Sequence, residues 1–342
     1  MGRVRERAHR LASRVWEDPQ GGARVARGAL APAAALYGGV AALRNRLFDS
    51  GIRRAERAPI PVVSVGNLTV GGAGKTPISA WIAARLFQME ARPAVVMRGY
   101  GYDETLLHRE MNPDIPVVTD RRRIRAVREA ARQGCTVAVL DDGFQHRRLA
   151  RKLDIVLVPA DQPAEATLPA GPLREPFRAL GRADLVLITR KRPDDDPDAA
   201  ARRVRSVAPG TSISPALIAP AGIRPVTASS GGLRPLDSLK GRAVLAVCAI
   251  ARPEPFLRTM RDVAGTVEEV VLPDHHPFTT DEVTALARRA GGRPLVMTWK
   301  DAVKVREHLP PGVEAWILVQ QVSFDDDGRT IDRLLREVIV GR

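Results

Sequence analysis

Residues 61–77, PVVSVGNLTVGGAGKTP, limit this chain more than any other stretch. Val62, Val63 and Val65 make a short β-branched strand, and a glycine-rich turn follows at Gly71-Gly72-Ala73-Gly74. Lys75-Thr76 then opens PISAWIAARLFQM, whose pattern is helical. Strand, glycine loop, Lys-Thr and helix are the parts of a phosphate-binding P-loop. Glycines let backbone N–H groups curl round phosphate oxygens, the helix N-terminus adds partial positive charge, and a lysine supplies a full one. The nucleotide-binding residues expected are Thr69, Val70, Gly71, Gly72, Ala73, Gly74, Lys75 and Thr76, with the Thr76 hydroxyl on Mg²⁺. In the strict pattern the first glycine would fall at Thr69, which leaves Gly71 and Gly72 to supply the turn. The plain alternative is a glycine-rich strand-to-helix connection with an incidental Lys-Thr.

A chain of 342 residues has room for two domains and a substantial core. Its net charge of +14 and pI near 10.9 favour an anionic partner: a phosphorylated substrate, an acidic membrane surface or nucleic acid. Nearly all of that charge is arginine, a bias that a GC-rich genome also produces. Cys135 and Cys248 are too few and too far apart for a disulfide framework or a metal knuckle, so a reducing, cytosolic setting is the default.

Residues 1–27 are arginine-rich and carry no secretory signal pattern. Residues 28–43, GALAPAAALYGGVAAL, turn apolar between Arg24, Arg27, Arg44 and Arg46. Sixteen weakly hydrophobic residues with an internal Pro32 fall short of a membrane span. An arginine-flanked apolar segment suits the membrane interface; the alternative is an N-terminal helix packed on the domain.

Beyond the P-loop the spacing predicts strands at 94–97, around Val117 and Val118, and at 136–140, with the basic helix DRRRIRAVREAARQG before the last of them. TVAVL ends in Asp141-Asp142, and a strand that delivers a carboxylate at its C-terminal end is what a Walker B metal site needs. Further strands follow at 155–158 and 185–188. Strands alternating with helices after a P-loop imply an α/β fold, P-loop NTPase-like, a mostly parallel sheet with helices on both faces. Residues 191–240, rich in Pro, Gly and Ser, read as peripheral helix and linker. From residue 243 the alternation resumes as a second, smaller α/β unit. The domains expected are 1–50, a membrane-interface segment; 51–190, the P-loop domain; 191–240, the linker; and 241–342, the smaller domain.

VGNLTVGGAGKTP, RGYG, DDGFQHRRLARKLDIVLV, LPAGPLREP, RADLVLITR, ARPEPF, LPDHHPFT and TWKDAVK, in this order, resemble the tetraacyldisaccharide 4'-kinase family, the lipid A kinases of Gram-negative bacteria. The resemblance spans about three-quarters of the chain, and the family's P-loop looks like this one at Thr69. It implies a two-domain enzyme at the cytoplasmic face of the inner membrane. Such an enzyme moves the ATP γ-phosphate to the 4'-hydroxyl of a tetraacylated glucosamine disaccharide 1-phosphate; no protein partner is inferred and no nucleic acid is expected. The N-terminal apolar helix meets the membrane in this family.

The resemblance also implies roles. The family's general base is an aspartate in Gly-Asp-Glu-Pro; the nearest match is Tyr102-Asp103-Glu104-Thr105, reached after an unusually short segment from RGYG. It makes Asp103 the base, assisted by His275, which either orients the carboxylate or relays its proton. Lys75 completes the catalytic set. Thr76 with Asp141 or Asp142 holds the metal, and Gln145, His146 and Arg174 line the substrate site. Without the family, His275 and His276 read as a polar loop and Arg174 as a surface arginine.

Two other readings compete. Another P-loop enzyme is possible in outline, but no [NT]KxD guanine-reading motif follows the Walker B strand. A basic binder without enzymatic activity leaves the P-loop and paired aspartates unexplained, and 4% aromatic residues is poor provision for stacking on bases.

Overall fold

A computed structural model describes residues 16, 22–99, 102–162, 166–227 and 232–341. They form two compact units. One takes in the described residues before Gly99, those from Ile115 to Leu217 and those from Ser323 on; the other takes in those between Gly99 and Asp114 and from Ile218 to Val322.

In the first unit the strands are β1 (Val62–Asn67), β2 (Pro93–Met97), β3 (Val117–Thr119), β4 (Val137–Asp141), β5 (Leu153–Pro159), β6 (Leu185–Arg190) and the first half of β7 (Ser212–Pro225). They lie in the order β3-β2-β4-β1-β5-β6-β7, every pair parallel. β1, β2, β4 and β5 are buried along their whole length, which is why they read as largely apolar, Val-rich runs and not as strict alternation. The order reverses at β1: the chain leaves it towards β2, returns to β4 at its side, then crosses to β5. Ligands of open parallel sheets bind outside the carboxyl ends of strands at such a switch point. Both the glycine loop after β1 and the Asp141-Asp142 pair ending β4 sit there, with Val65 opposite Asp141 in register.

Helix α2 (Lys75–Gln88) buries Ile78, Ile82, Ala83 and Leu86. The C-terminal helix (Arg329–Val340) joins this first unit and buries Ile331, Leu335 and Val338. It is tied to α2 by an Arg85–Asp332 ion pair and by Phe324 against Trp81, ring centroids 4.7 Å apart. That docking, between residues some 250 positions apart, is why the linear division at 241–342 differs from the observed one.

The second unit has strand order β7-β11-β10-β8-β9, with β8 (Ala243–Cys248), β9 (Thr266–Val271), β10 (Leu295–Thr298) and β11 (Ala315–Phe324), the last as far as Val322. Leu245 and Val247 face one apolar cluster and Val244, Ala246 and Cys248 another, so period-two alternation puts a core on each face of this sheet. The segment Gly99–Asp114 belongs here and contains a helix, Tyr102–Met111, which the sequence reading did not anticipate. Its weak apolar pattern hid it, although Asp103 and Glu104 in its first turn suit the helix dipole. Residues 191–240 hold the expected helix, Asp198–Val207, and also the fourteen-residue strand β7, which the linker reading did not include. Pro215, Pro220 and Pro225 disguised that strand, since proline argues against a ladder position. Its buried Ser214, Ala216 and Ile218 nevertheless alternate as a strand should.

Two glycines let β1 approach the turn after β4. A Cβ on Gly66 would lie 2.6 Å from Phe144 Cβ and 2.8 Å from its backbone nitrogen; one on Gly143 would lie 2.5 Å from Ser64 Oγ. Gly66→Ala is expected to destabilise the fold by about 1–3 kcal/mol, the usual cost of overpacking, read as a lower urea midpoint. Gly72→Ala, which meets nothing within 4 Å, should leave the midpoint unchanged.

Candidate active site

The glycine loop leaves β1 through Asn67, a fully buried polar residue that organises its surroundings. Asn67 Nδ2 donates to Thr69 Oγ1 (2.9 Å), while Asn67 Oδ1 accepts from Lys75 Nζ at 3.2 Å. Thr69 therefore holds its end of the loop by a side-chain bond where other loops use glycine freedom. Glycine freedom is used at Gly71 (φ 104°) and Gly74 (φ 85°), the latter capping α2 in the left-handed region. The LPAGPLREP segment braces the outside of the loop. Leu173 bridges Thr69, Val70 N–H donates to Pro172 O (2.9 Å), and Arg174 N–H donates to Leu68 O (2.7 Å).

Facing the loop are the two aspartates at the end of β4, in different surroundings. Asp141 is buried; its Oδ2 lies 3.4 Å from Thr76 Oγ1, and its carbonyl accepts from Arg123 Nη2 at 3.1 Å. Asp142, in the left-handed region at φ 55°, accepts from Arg174 Nη1 on both oxygens at 2.9 Å and lies 3.6 Å from Lys75 Nζ. Burial pushes its carboxyl upward, but Lys75 and Arg174 outweigh that and hold it below the ordinary range. Gln145 links the parts: its Nε2 donates to Asn67 O (2.9 Å) and its Oε1 accepts from Arg174 Nη1 (3.4 Å). The structure thus brings Lys75, Thr76, Asp141, Asp142, Gln145 and Arg174 together. His146 follows Gln145 with its N–H on Gly143 O (2.9 Å) and its carbonyl on Arg151. Burial, then Arg123, Arg151, Arg148 and Arg98, lower its pKa to about 4, so the ring is neutral at physiological pH.

Glu175, beside Arg174, was not anticipated. Its buried carboxylate accepts from Asn45 Nδ2 (2.6 Å), Arg44 Nη2 (3.1 Å) and Arg182 Nη2 (3.0 Å). Asn45 and Arg44 close helix α1 (Gly22–Asp49), which Thr167 Oγ1 also holds by donating to Ala34 O at 2.8 Å. Ala34, Gly38 and Asn45 form the packed face of α1; Val25, Leu36, Val40 and Leu43 stand exposed on the other. The membrane-interface and packed-helix readings of residues 28–43 are therefore compatible, one for each face. Within Arg24–Asp49 the helix is also long and apolar enough to cross a membrane.

Asp103 and His275 meet in the second unit, 172 residues apart in sequence. His275 Nδ1 lies 2.9 Å from Asp103 Oδ2 and 3.3 Å from Oδ1, and His275 takes a left-handed φ of 61° to reach it. Burial pushes the Asp103 carboxyl up, but the His275 hydrogen bond, then Lys300 and Lys304, outweigh it and hold the group ionised below the ordinary range. The hydrogen bond with Asp103 raises the His275 imidazole, against burial and Lys300. His276 turns away to Glu282 Oε2, at 3.1 Å. Lys300 and Lys304 escaped the sequence reading, although TWKDAVK was singled out as a motif.

A parallel sheet with a glycine loop and Lys-Thr at its switch point, and an acidic residue ending the adjacent strand, defines the P-loop nucleotide-binding class. The sequence profile of the Tetraacyldisaccharide-1-P 4'-kinase family matches residues 26–104 and 101–339, and the chain belongs to that family. A tetraacyldisaccharide 4'-kinase of Chlorobium luteolum is 36% identical over 308 residues, 81% of this chain and 86% of the relative. One from Anaeromyxobacter sp. (strain K) is 39% identical over 303 residues, 80% of each chain. The crystal structure of LpxK from Aquifex aeolicus in complex with ATP superposes with a TM-score of 0.72 at 27% identity, covering 92% of this chain and 99% of that one.

Because His146 titrates near 4 when folded and near 6.5 when unfolded, the unfolded chain binds the extra proton between those values. Stability conferred by neutral His146 is fully present above pH 6.5 and is lost as pH falls towards 4. Urea midpoints followed from pH 7 to 4.5 should decline less steeply in His146→Gln than in the parent.

Proposed function

We propose that this protein is the ATP-dependent kinase that phosphorylates the 4'-hydroxyl of tetraacylated glucosamine disaccharide 1-phosphate during lipid A assembly. One observation supports the reading above the rest: an ionised, buried Asp103 held by His275, in a chain that also presents Lys75 over a glycine loop. A P-loop suits any nucleotide hydrolase; an ordered carboxylate fit to accept a hydroxyl proton suits a kinase.

The loop amides and Lys75 bind the β- and γ-phosphates. Lys75 and Arg174, both on Asp142 in this structure, are the cations available to exchange a carboxylate partner for phosphate oxygens. Thr76 and Asp141 fit Mg²⁺, since they offer hard oxygens beside the loop. Held by Thr76 and Asp141, such an ion would supply positive charge against the charge developing on the phosphate. Of the two aspartates we assign Asp141 to the metal, because both oxygens of Asp142 already face Arg174. Asp103 accepts the proton of the sugar hydroxyl as its oxygen attacks phosphorus. One carboxylate oxygen takes His275 Nδ1–H and the other the Glu104 N–H at 3.0 Å, and the lone pairs that remain leave room for the substrate. Gln145 and His146 stand as substrate-side residues, His146 as a neutral donor or acceptor.

The exposed apolar face of α1, with Arg24, Arg27, Arg44 and Arg46 near it, suits the cytoplasmic face of an anionic membrane, where the acylated substrate resides. Anionic vesicles should sediment the parent protein but not the Leu36→Ser/Val40→Ser/Leu43→Ser variant.

Radiolabelled ATP with the lipid disaccharide 1-phosphate in detergent should yield label at the 4'-position; absence of transfer overturns the assignment. Lys75→Ala should lower the rate by roughly 10²-fold or more, as loss of a charge-stabilising donor does. Asp103→Asn should lower kcat by roughly 10²–10⁴ while the KM for ATP stays within about twofold, since the phosphates are held elsewhere.

A further inference from the structure

We propose that Lys300 locks His275 in the tautomer with its proton on Nδ1, so that His275 orients Asp103 and does not relay a proton from it. Lys304, one turn along the same helix, holds the carboxylate as a second positioning residue. The inference rests on the reading of Asp103 as the proton acceptor.

Lys300 Nζ lies 3.1 Å from His275 Nε2. An ammonium has donors and no lone pair, so at this contact Nε2 must accept. The ring then carries its single proton on Nδ1, which faces Asp103 Oδ2 at 2.9 Å. A carboxylate only accepts, so every donor in the sequence Lys300, His275, Asp103 meets an acceptor. A doubly protonated ring would set two donors against each other at 3.1 Å. Acidic groups keep Lys300 in place: Asp274 Oδ1 at 3.3 Å, Glu104 Oε1 at 3.8 Å and Asp103 Oδ2 at 3.9 Å.

Lys304 is more deeply set. Its Nζ donates to His276 O (2.9 Å), pairs with Asp301 Oδ1 (3.1 Å), lies 3.9 Å from Asp103 Oδ2 and sits 5.1 Å from the centre of the Phe278 ring. Asp301 is itself immobilised: its Oδ2 accepts from Ala249 N–H (3.0 Å) and Thr298 Oγ1 (2.6 Å). Lys300 and Lys304 share the helix Trp299–Val305 at i and i+4, the spacing that brings two side chains to one face.

A relay needs Nδ1 free to take the proton from Asp103 and Nε2 free to pass it on. Here Nδ1 already bears hydrogen and the Nε2 lone pair is occupied. The hydroxyl proton therefore stays on the Asp103 carboxyl while the P–O bond forms and ADP departs, and it leaves to water when the phosphorylated sugar does. The charged groups facing the ring are Asp103 and Asp274 (Oδ2 3.8 Å from Nε2), which favour a second proton, and Lys300, which opposes it.

The test is ¹⁵N NMR of the full chain in detergent, labelled at its six histidines, with His275 assigned from a His275→Gln sample. At pH 8 the parent should show a protonated Nδ1 and an unprotonated Nε2. In Lys300→Met the His275 titration midpoint should rise so that Nε2 gains a proton near neutral pH while Nδ1 keeps its own against Asp103, and kcat should fall roughly tenfold or more at an ATP KM within about twofold of the parent. Lys300→Arg, which keeps a charged donor, should restore the tautomer and most of kcat. A proton on Nε2 in the parent, or a Lys300→Met protein with parental spectrum and kcat, overturns the proposal. Asp103→Asn, assayed alongside, separates the two readings: full activity there removes Asp103 as base, whereas the tautomer is read from the spectrum alone.

Discussion

The proposed phosphate site depends on a balance of charge around Asp142. Lys75 and Arg174 are part-buried cations that need a counter-charge, and Asp142 supplies it from a backbone conformation that few side chains adopt. The arrangement keeps both cations aimed at the mouth of the loop, so that binding an anion trades one partner for another and demands little reorganisation. The geometry needs the close approach of β1 to the turn after β4, which Gly66 and Gly143 allow. Backbone packing and electrostatics are here one constraint.

A second set of charges, within the other unit, works by hydrogen-bond direction. Asp103 is held by a donor from His275, and His275 in turn by a donor from Lys300. An ionised carboxylate below its ordinary pKa is a modest base, but it is always in the accepting form at neutral pH. For phosphoryl transfer, where positioning and neutralisation dominate, availability matters more than basicity. In the proposed mechanism the phosphate loop lies in one unit and Asp103, read as the proton acceptor, in the other.

Glu175 links the apolar helix to the same machinery. Its three donors come from the end of α1 and from Arg182, and its neighbour in the chain is Arg174. The element that suits a lipid surface is thus bonded to the residue next to a phosphate-site cation. Small residues, Ala34 and Gly38, give α1 its packed face, so its larger aliphatics are free to point outward.

The local parts of this protein were legible in its residues. Buried parallel strands write themselves as β-branched runs, and the P-loop and Asp141-Asp142 are contiguous motifs whose chemistry is set by neighbours in sequence. The family resemblance then pointed to Asp103 and His275, a pairing that no spacing could reveal across 172 residues. Other features were decided only in three dimensions. The helix around Asp103 has too weak a pattern to show, and β7 is masked by its prolines. The terminal helix joins the first unit because Phe324 and Asp332 find Trp81 and Arg85, contacts that exist only once the chain has folded. Asn67, Glu175, Lys300 and Lys304 look like ordinary polar residues in the sequence. Their roles come from which acceptor or donor lies about 3 Å away, and that distance belongs to the tertiary structure alone.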